Sequence, residues 1–464
     1  MKTKILKLVC PVLFFSALTL FITGCGNPNK SALQENTSAE LKPVTHLDWS
    51  KNAVIYEANI RQYSPGGTFV EFEQQLPRLK KMGVDILWLM PIFPIGEKKR
   101  KGTQGSYYSV KDYTAVNPEH GTMEDFKRLV KKIHEQKMHV ILDWVANHSA
   151  WDNKWAIDHP DFYTKDSLGN FVPPVPDWAD VIDFNYDNKE MRKQMIEAMK
   201  YWIKEADVDG FRCDVADMVP TDFWNEARAE LDKIKPVFML AEAEKPELHN
   251  HAFDMTYGWE QHFIMDDICS GKKSLANLDS CFEKYKTNFP PDAYRMYFTS
   301  NHDENSWKGS EYERMGDAVK AFAVLTFTIN GMPLIYTGQE AALNRKLKFF
   351  DKDTIDWKNY PMENFYTTLC SLKKNNKALL HGADGGKTIK LKTSNDKAVY
   401  AFEREKDGNE VVVILNLSKE KQKFSLVENP FSGEYNDAFA DKKFNFVKNQ
   451  SLELKPWDYL VLVK

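Results

Sequence analysis

The chain has 464 residues, of which 43% are hydrophobic and 28% charged, and its 66 acidic and 62 basic residues leave a formal net charge of −4. Because there is no basic surplus to neutralise phosphates, the composition argues against a nucleic-acid partner. The 12 Trp, 19 Tyr and 29 Phe serve either as core filling or as platforms for flat ligands.

The segment 1–24 is typical of a secretion signal rather than of a folded domain. Three lysines precede the apolar run 8–22, and the sequence Ile-Thr-Gly-Cys that ends at Cys25 resembles a bacterial lipobox. We therefore predict a lipoprotein signal peptide, lipidation of Cys25 and a bacterial cell-envelope location, periplasmic or at the cell surface. A membrane-spanning helix is the alternative, but the run is shorter than the ~20 apolar residues that a span needs.

Segment 25–45 is polar and without periodicity, which predicts a flexible tether. Four further cysteines follow, and none of them shows the Cys-x-x-Cys spacing of a metal thiolate site. The sequence leaves open whether Cys269 and Cys281 form a disulfide. With no second hydrophobic span, the lipid at Cys25 is the only membrane contact that we predict.

From residue 46 to 379, short β-type runs alternate with amphipathic helical stretches, as in a parallel sheet wrapped by helices. The predicted strands are 54–57, 86–90, 139–143, 210–214, 237–242, 253–256, 296–300 and 334–337. The predicted helices include 69–82, 123–136, 189–206, 221–234, 275–286 and 313–329. This alternation predicts an α/β protein with a (β/α)8 TIM barrel.

Two segments depart from the alternation. Segment 149–186, after the third strand, is irregular, rich in Pro and Asp, and too long for an ordinary connection, so we predict a short insertion subdomain beside the active site. Segment 380–464 contains β-type runs separated by turn residues, without helical periodicity. It predicts a C-terminal antiparallel β-domain, which we expect to be a β-sandwich.

Several predicted strands end in polar side chains. Asp214 and Glu242 end the fourth and fifth predicted strands, and Asp303 follows the seventh. Arg212 shares the face of Asp214 because side chains alternate along a strand. Cys213 should therefore face the helices. Each acid alone could be an ordinary loop charge or a helix cap, but active sites of this fold lie at the C-terminal ends of the strands. Their convergence favours an active site.

The segments DWVANH, GFRCD, VFMLAE and YFTSNHD, in this order and spacing, resemble the signature regions of the α-amylase superfamily of glycoside hydrolases. The segments IYEANIRQYSP, GVDILWLMPIFP and GMPLIYTGQE support the resemblance, which spans residues 48–376. The C-terminal sequence LELKPWDYLVL is also similar to that of family members.

The resemblance implies catalytic roles for three carboxyl groups. Asp214 matches the nucleophile, Glu242 the general acid and base, and Asp303 the third carboxylate, which grips sugar hydroxyls in the distorted transition state. Arg212 matches the arginine that keeps the nucleophile anionic. Glu244 competes for the acid role, but it lies two residues beyond Glu242, so we prefer Glu242.

The resemblance also implies substrate-binding residues. His148 and His302 match the histidines that bond hydroxyls of the sugar being cleaved, and Tyr108 matches the ring stacked beneath that sugar. Tryptophans around the insertion and beyond it are candidates for outer sugar subsites, although packing explains any single one better. They are Trp151, Trp155, Trp178 and Trp259.

The sequence departs from the family pattern after the nucleophile. Many α-amylases carry Lys-His where this chain has Asp217 and Met218, and the histidine helps to hold a structural calcium. Asn147 resembles a calcium ligand of the family, so a structural calcium is a possible cofactor, whereas the chemistry itself requires none. A valine directly after the nucleophile, as at Val215, is found in family members that act on α-1,6 links or have mixed specificity.

Together these features predict a retaining α-glucan hydrolase of the α-amylase type. We expect it to cleave α-1,4 bonds of starch or maltooligosaccharides through a covalent glycosyl-enzyme intermediate on Asp214. One alternative is an α-1,6-acting glucosidase or a transglycosylase of the same superfamily. Another is a non-catalytic glucan-binding lipoprotein, although all three carboxylates are present.

Overall fold

A computed structural model describes residues 41–427, 431, 433–440, 442–447 and 450–464. The predicted signal peptide, the lipidation site Cys25 and most of the predicted tether lie outside the described residues. No helix in the described part of the chain combines the length and the apolar character that crossing a membrane requires.

The first ten strands contain a closed barrel. They are β1 (Ile55–Ala58), β2 (Ile86–Leu89), β3 (His139–Trp144), β4 (His148–Ala150), β5 (Val181–Asp183), β6 (Gly210–Cys213), β7 (Phe238–Ala241), β8 (Met255–Tyr257), β9 (Tyr294–Tyr297) and β10 (Met332–Tyr336). All of these except β4 and β5 pair in parallel, in the order β1-β2-β3-β6-β7-β8-β9-β10, and β10 closes on β1. The predicted TIM barrel is confirmed.

The barrel is surrounded by helices. The α-helices are α1 (Ile60–Tyr63), α2 (Phe69–Glu73), α3 (Leu76–Met82), α4 (Met123–Glu135), α5 (Lys154–Asp158), α6 (Lys189–Ala206), α7 (Thr221–Asp232), α8 (Trp259–Cys269), α9 (Leu275–Asn288), α10 (Glu311–Met315), α11 (Val319–Thr328) and α12 (Glu363–Asn375). Side chains of the strands alternate between this helical layer and the barrel interior, where Trp88, Phe238, Tyr257 and Met296 form an inner core.

Two predicted helices are broken in the structure. The predicted helix 69–82 is two helices, α2 and α3, because Pro77 lies in the first turn of α3, where its missing N–H costs no hydrogen bond. The predicted helix 313–329 divides at Gly316, whose φ of +57° few other residues adopt, and a 3-10 turn links α10 to α11. Helices α8 and α12 are not predicted from the sequence.

The insertion after β3 is held together by a short antiparallel pair. Strands β4 and β5 pair from His148 opposite Asp183 to Ala150 opposite Val181. Trp155 stacks on Tyr113, with ring centroids 5.1 Å apart, and joins the core beneath the insertion. The pair therefore fixes the insertion beside the C-terminal ends of the barrel strands, because β4 begins at a candidate site residue, His148.

The C-terminal part is an antiparallel β-domain, as predicted. Its strands are β11 (Thr388–Leu391), β12 (Val399–Lys406), β13 (Asn409–Asn416), β14 (Gln422–Phe424), β15 (Glu434–Asp437), β16 (Lys443–Asn445), β17 (Leu452–Leu454) and β18 (Tyr459–Val463). Six of them form a sheet in the order β11-β12-β13-β18-β15-β16, and β14 pairs with β17. Buried side chains from both sheets, such as Val412 and Leu452, share one core.

Two buried cations lie where the barrel meets the β-domain. Arg404 on β12 is fully buried and donates to four backbone carbonyls, those of Thr328, Ile329, Leu380 and Gly386, at 2.8 to 3.2 Å. Lys373 on α12 is also fully buried and donates to the carbonyls of Gly331 and Leu379, both at 2.9 Å. These cations bind the C-terminal end of α11 and the loop that leads into the β-domain.

Candidate active site

The three candidate catalytic carboxyl groups follow three barrel strands at the same end. Asp214 directly follows β6, Glu242 directly follows β7, and Asp303 lies six residues beyond β9. Asp214 is 7% exposed, and the side chain of Asp303 is 32% exposed, so the trio reaches from the barrel interior to solvent. The structure therefore brings the predicted trio to the C-terminal mouth of the barrel, where this fold places active sites.

Arg212 connects the carboxylates of three neighbouring strands. Its Nη1 donates to Asp143 Oδ1 at 2.8 Å and to Asp214 Oδ1 at 3.0 Å, and its Nη2 lies 2.8 Å from Glu242 Oε2. The guanidinium is fully buried and also donates from Nε to the hydroxyl of Tyr257. Its charge is therefore divided among three carboxylates, whereas the sequence assigns it to Asp214 alone.

Burial dominates the acidity of Asp214 and Glu242. Burial raises the pKa of Asp214 well above its ordinary value, and the neighbouring carboxylates raise it further, while Arg212 lowers it. Burial likewise raises the pKa of Glu242; Arg212 opposes this, and Asp303 adds to it. Because like charges this close resist joint ionisation, the pair holds a proton more tightly than isolated carboxyls do.

The backbone after Asp214 is strained and points at Glu242. Val215 has φ 34° and ψ 49°, the left-handed region that β-branched residues rarely adopt. In this conformation its N–H donates to Glu242 Oε2 at 2.9 Å. This hydrogen bond, which needs the strained conformation of Val215, connects the segment that carries Asp214 to the side chain of Glu242.

Glu244, the competitor for the acid role, is engaged elsewhere. Its Oε1 accepts hydrogen bonds from Arg295 Nη2 at 2.6 Å and from the hydroxyl of Tyr285 at 2.7 Å. Its Oε2 accepts the backbone N–H of Glu260 in the first turn of α8 at 3.2 Å. A carboxylate that caps a helix and pairs with a buried arginine has a structural role, so the contacts favour Glu242.

Tyr108 and His302 form a connected pair in the site. The hydroxyl of Tyr108 lies 2.7 Å from His302 Nε2 and donates to Asp143 Oδ2 at 3.1 Å. The two rings are nearly parallel, at 23°, with centroids 5.5 Å apart. Both side chains are buried, and His302 Nε2 lies 3.3 Å from Asp303 Oδ2. The structure thus brings these two predicted sugar-binding residues together beside Asp303.

The two histidines differ in charge. His148 is buried with its Nε2 3.9 Å from Asp214 Oδ2, and burial lowers its pKa to about 3, so the ring is neutral. Burial also disfavours the charged form of His302, but Asp303 and Glu57 outweigh it and raise the pKa of His302 to about 9. His302 is therefore a cation at neutral pH and His148 is not.

The candidate tryptophans separate into different environments. Trp155 belongs to the core, and one face of Trp151 is covered by the Lys99 ammonium, 3.2 Å from the ring centroid. Trp259 stacks on Phe263 at the start of α8. Trp178 is half-buried with its ring 5.4 Å from that of His148, so it is the one of the four that lies directly beside a predicted site residue.

Sequence reasoning missed two residues at the site. Glu57 is fully buried at the end of β1 and contacts His302. Trp307, 53% exposed and four residues beyond Asp303, has its ring 5.0 Å from that of Phe349, which in turn lies nearly parallel to Tyr108. The sequence signal for Glu57 is a charged residue inside an apolar strand, and that for Trp307 is a tryptophan four residues beyond a signature segment.

Asn147, the predicted calcium ligand, lies against His148 in the structure. Its side-chain amide lies 3.3 Å from His148 Nδ1, and its backbone carbonyl accepts the N–H of Phe184. Calcium takes roughly six to eight oxygen ligands, and the side chain of Asn147 can supply one of them through its amide oxygen. Calcium at Asn147 therefore stays a prediction of the resemblance, and no chemical step depends on it.

One compact group of possible metal ligands exists among the described residues, His262, Asp266 and Glu304. Arg314 donates to both oxygens of Asp266, at 2.7 and 2.8 Å, and Lys308 lies 2.9 Å from Glu304 Oε1. Two cations therefore already balance the two carboxylates, and the group is an ion-pair network behind Asp303.

The four cysteines of the described chain are free thiols, and all are buried. Cys269 and Cys281, whose pairing the sequence leaves open, are therefore unpaired here. Cys213 packs in the outer core with side chains of the helices, which confirms the predicted alternation along β6.

The fold and the site define a class of enzyme. The TIM barrel holds carboxylates from successive strand ends around one buried arginine, beside a tyrosine and two histidines. These are the groups that a glycoside hydrolase needs.

Comparison with known proteins places the chain within that class. The family model described as the α-amylase catalytic domain matches residues 45–173 and 176–407, and that of the α-amylase SusG C-terminal domain matches residues 399–461. The chain therefore belongs to the α-amylase family of glycoside hydrolases.

Solved structures and a curated relative agree with this assignment. The noncanonic maltogenic α-amylase AmyB from Thermotoga neapolitana is 32% identical, with a TM-score of 0.83 over 89% of this chain and 99% of that chain. An α-amylase from Lactobacillus plantarum is 30% identical, with a TM-score of 0.81 over 90% and 99%. The α-amylase MalA of Haloarcula japonica is 27% identical over 87% of this chain, which spans 62% of that relative's length.

Proposed function

We propose that the protein is a retaining α-glucan hydrolase that cleaves α-1,4 bonds of starch or maltooligosaccharides. The observation that carries the proposal is the placement of Asp214 and Glu242 on the two terminal nitrogens of Arg212. Two carboxyl groups held on one guanidinium lie close enough to serve the same glycosidic bond, as retaining hydrolysis requires at a separation of about 5 Å.

The reaction proceeds in two balanced steps. In the first, Asp214 attacks the anomeric carbon, the glycosidic C–O bond breaks, and Glu242 gives its proton to the leaving oxygen. In the second, Glu242 takes a proton from water, the water oxygen bonds to the anomeric carbon, and Asp214 leaves. The raised pKa of Glu242 suits the first step because the group must hold its proton until the bond breaks, and Asp214, whose pKa burial also raises, must react as the carboxylate held on Arg212.

The remaining site residues bind the sugar. Tyr108 offers its ring as a platform for the flat face of the glucose being cleaved, and His302 and Asp303 offer a donor and an acceptor to its hydroxyls. His148, which is neutral, can accept a hydroxyl proton beside Asp214. The names of two similar proteins, a maltogenic α-amylase and an α-amylase, support an α-glucan as the substrate.

Product analysis tests the proposed function. The protein is incubated separately with maltoheptaose, pullulan and isomaltose, and the products and their anomeric configuration are followed over time. We expect maltoheptaose to yield shorter maltooligosaccharides of retained α-configuration. Release from isomaltose alone would contradict α-1,4 specificity, and binding without any hydrolysis would replace the enzyme by a glucan-binding protein.

Replacing Glu244 with Gln separates the two candidate acids. We expect the variant to keep its kcat for maltoheptaose while the free energy of unfolding falls by about 1–2 kcal/mol, because a neutral amide weakens the bond to Arg295. Activity assays and urea denaturation measure both quantities. A loss of activity as large as that of Glu242→Gln would assign the acid role to Glu244 instead.

We also propose that the enzyme is anchored to the bacterial cell envelope by lipid at Cys25. The support is the lipobox-like sequence alone, with a lysine-containing start and an apolar run before it. In a bacterial host, the full chain should fractionate with membranes, and a variant whose residues 1–25 are exchanged for a cleavable signal peptide without a lipobox should appear in the soluble fraction, while both hydrolyse maltoheptaose equally. Equal fractionation of the two proteins would contradict the anchor.

A further inference from the structure

Glu57 is a fully buried carboxylate that the proposed reaction does not use. It lies at the C-terminal end of β1 and shares the barrel interior with Ile55, two residues earlier on the same face. A carboxylate in such surroundings is costly unless another group pairs with it. Its partner therefore indicates why it is present.

The partner of Glu57 is His302. Nδ1 of the imidazole donates to Glu57 Oε1, and the backbone N–H of His302 points at the same oxygen from 3.4 Å. The opposite ring nitrogen, Nε2, lies 2.7 Å from the hydroxyl of Tyr108 and 3.3 Å from Asp303 Oδ2. One buried imidazole thus joins Glu57, inside the barrel, to the groups that face the sugar.

The charge on His302 sets the direction of a chain of hydrogen bonds. When both ring nitrogens carry protons, Nδ1 donates to Glu57 and Nε2 donates to the oxygen of Tyr108. The phenol proton of Tyr108 is then available to Asp143 Oδ2, which also accepts from Trp88 Nε1 at 3.0 Å. If Nε2 carried no proton, it would accept the phenol proton and Asp143 would lose that donor.

We propose that Glu57 is a positioning residue that holds His302 as an imidazolium and so orients Tyr108 and Asp303 toward the sugar. The proposal rests on the proposed function, because Tyr108 and Asp303 contact a sugar only if the protein is a glycoside hydrolase. Glu57 itself touches no substrate, since its side chain is buried beneath His302.

Both members of the pair are buried, and burial raises the pKa of Glu57, whereas His302 and Arg212 favour its charged form. Burial opposes the charged imidazole and so does Arg212, but Asp303 and Glu57 outweigh both, and the pKa of His302 rises from 6.5 to about 9. Tyr108 and Asp143 complete the titratable groups on this side of the site. Removing the charge of Glu57 lowers the pKa of His302, so the imidazole loses its proton at a lower pH.

The test uses Glu57→Gln, which keeps the size of the side chain and removes its charge. The His302 imidazole is followed by NMR across a pH titration, with His302→Asn identifying its signals. In the wild type we expect titration near 9, and in the variant a clearly lower pKa, because Asp303 alone then opposes burial and Arg212. At neutral pH and above, kcat/KM for maltoheptaose should fall by about 10 to 100-fold, with an alkaline limb at lower pH.

Two further variants separate positioning from simple damage to the core. Glu311→Gln removes another buried carboxylate, one that accepts from Thr299 and Gln339 and contacts no histidine, so the His302 titration should stay unchanged. Glu57→Asp keeps the charge and should keep most of the raised pKa. If Glu57→Gln fails to fold, the His302 titration is measured in Glu57→Asp instead.

An ordinary titration of His302 in the wild type, or an unchanged one in Glu57→Gln, would overturn the proposal. The two proposals fail separately, because the imidazole titrates in the free protein. A wild type without hydrolysis contradicts the proposed function, whereas a lowered pKa of His302 with an unchanged kcat/KM in Glu57→Gln contradicts the positioning role.

Discussion

Asp214→Asn is expected to lower kcat for maltoheptaose by about 10⁴-fold or more, because the variant lacks the proposed nucleophile and keeps only binding and electrostatic effects. Asn has nearly the same shape, and its amide oxygen can still accept from Arg212 Nη1, which contacts Asp214 Oδ1 at 3.0 Å. Steady-state kinetics measures the loss. An unchanged thermal unfolding temperature would show that the loss is chemical rather than structural.

Glu242→Gln is the matched variant, since it removes the acid and leaves the nucleophile. Its kcat for maltoheptaose should fall by about 10² to 10⁴-fold. With α-maltosyl fluoride, whose leaving group needs no proton, Glu242→Gln should still release a burst of fluoride and leave a glycosyl group on the peptide that contains Asp214. Asp214→Asn should show neither the burst nor the adduct.

The reverse pattern would exchange the two roles. A fluoride burst in Asp214→Asn, with an adduct on another carboxylate, would contradict Asp214 as the nucleophile. Glu244→Gln provides the background for both measurements, because that carboxylate is held by Arg295 and Tyr285 away from the trio. Its burst and its steady-state rate should match those of the wild type.

The barrel and the position of its site are readable from the sequence for physical reasons. Buried parallel strands are short apolar runs, and the helices between them repeat their apolar residues every three to four positions. Polar residues such as Asp214 and Glu242 at the ends of such runs have no place in the core, so they mark the mouth of the barrel. The predicted fold is therefore confirmed, and the trio lies where it was expected.

What the sequence does not show depends on contacts across the barrel. Glu57 sits in an otherwise apolar strand, and its partner, His302, is 245 positions away, so no local pattern reveals the pair. The same holds for Glu244, whose structural role becomes visible only through Arg295 and Tyr285. Helix α8 escapes prediction because it buries Gln261 and His262, which hide its apolar face.

The shared charge of Arg212 also lies beyond sequence reasoning. The alternation along β6 shows that Arg212 and Asp214 point the same way, but it does not show that Asp143 and Glu242 compete for the same guanidinium. Burial then raises the pKa of both Asp214 and Glu242. The contact of Arg212 with both acids therefore does not by itself assign the nucleophile and the acid.

Arg404→Met is expected to lower the free energy of unfolding by about 3–5 kcal/mol, because it removes a buried cation that the surrounding carbonyl groups are arranged to bind. The guanidinium is fully buried, and no carboxylate within the described residues pairs with it. The variant leaves four carbonyls without their donor. Urea denaturation of the full chain measures the change.

A competing effect reduces the cost of Arg404→Met. Lys373 is buried nearby, and burial lowers its pKa well below the ordinary value, with Arg404 lowering it further. Removing Arg404 therefore favours the charged form of Lys373, but this gain does not replace the four hydrogen bonds that Arg404 donates. Arg404→Lys should fall between the wild type and Arg404→Met, because lysine keeps the charge and supplies fewer donors than the guanidinium fork.

Arg128→Met is the control for the loss of an arginine in general. Arg128 is 43% exposed and pairs with Glu73 and Asp125 at the surface, where such pairs contribute little. Its unfolding midpoint should match that of the wild type. If Arg404→Met unfolds at the same urea concentration as Arg128→Met, water must replace the guanidinium at its carbonyls, and the junction between barrel and β-domain does not depend on Arg404.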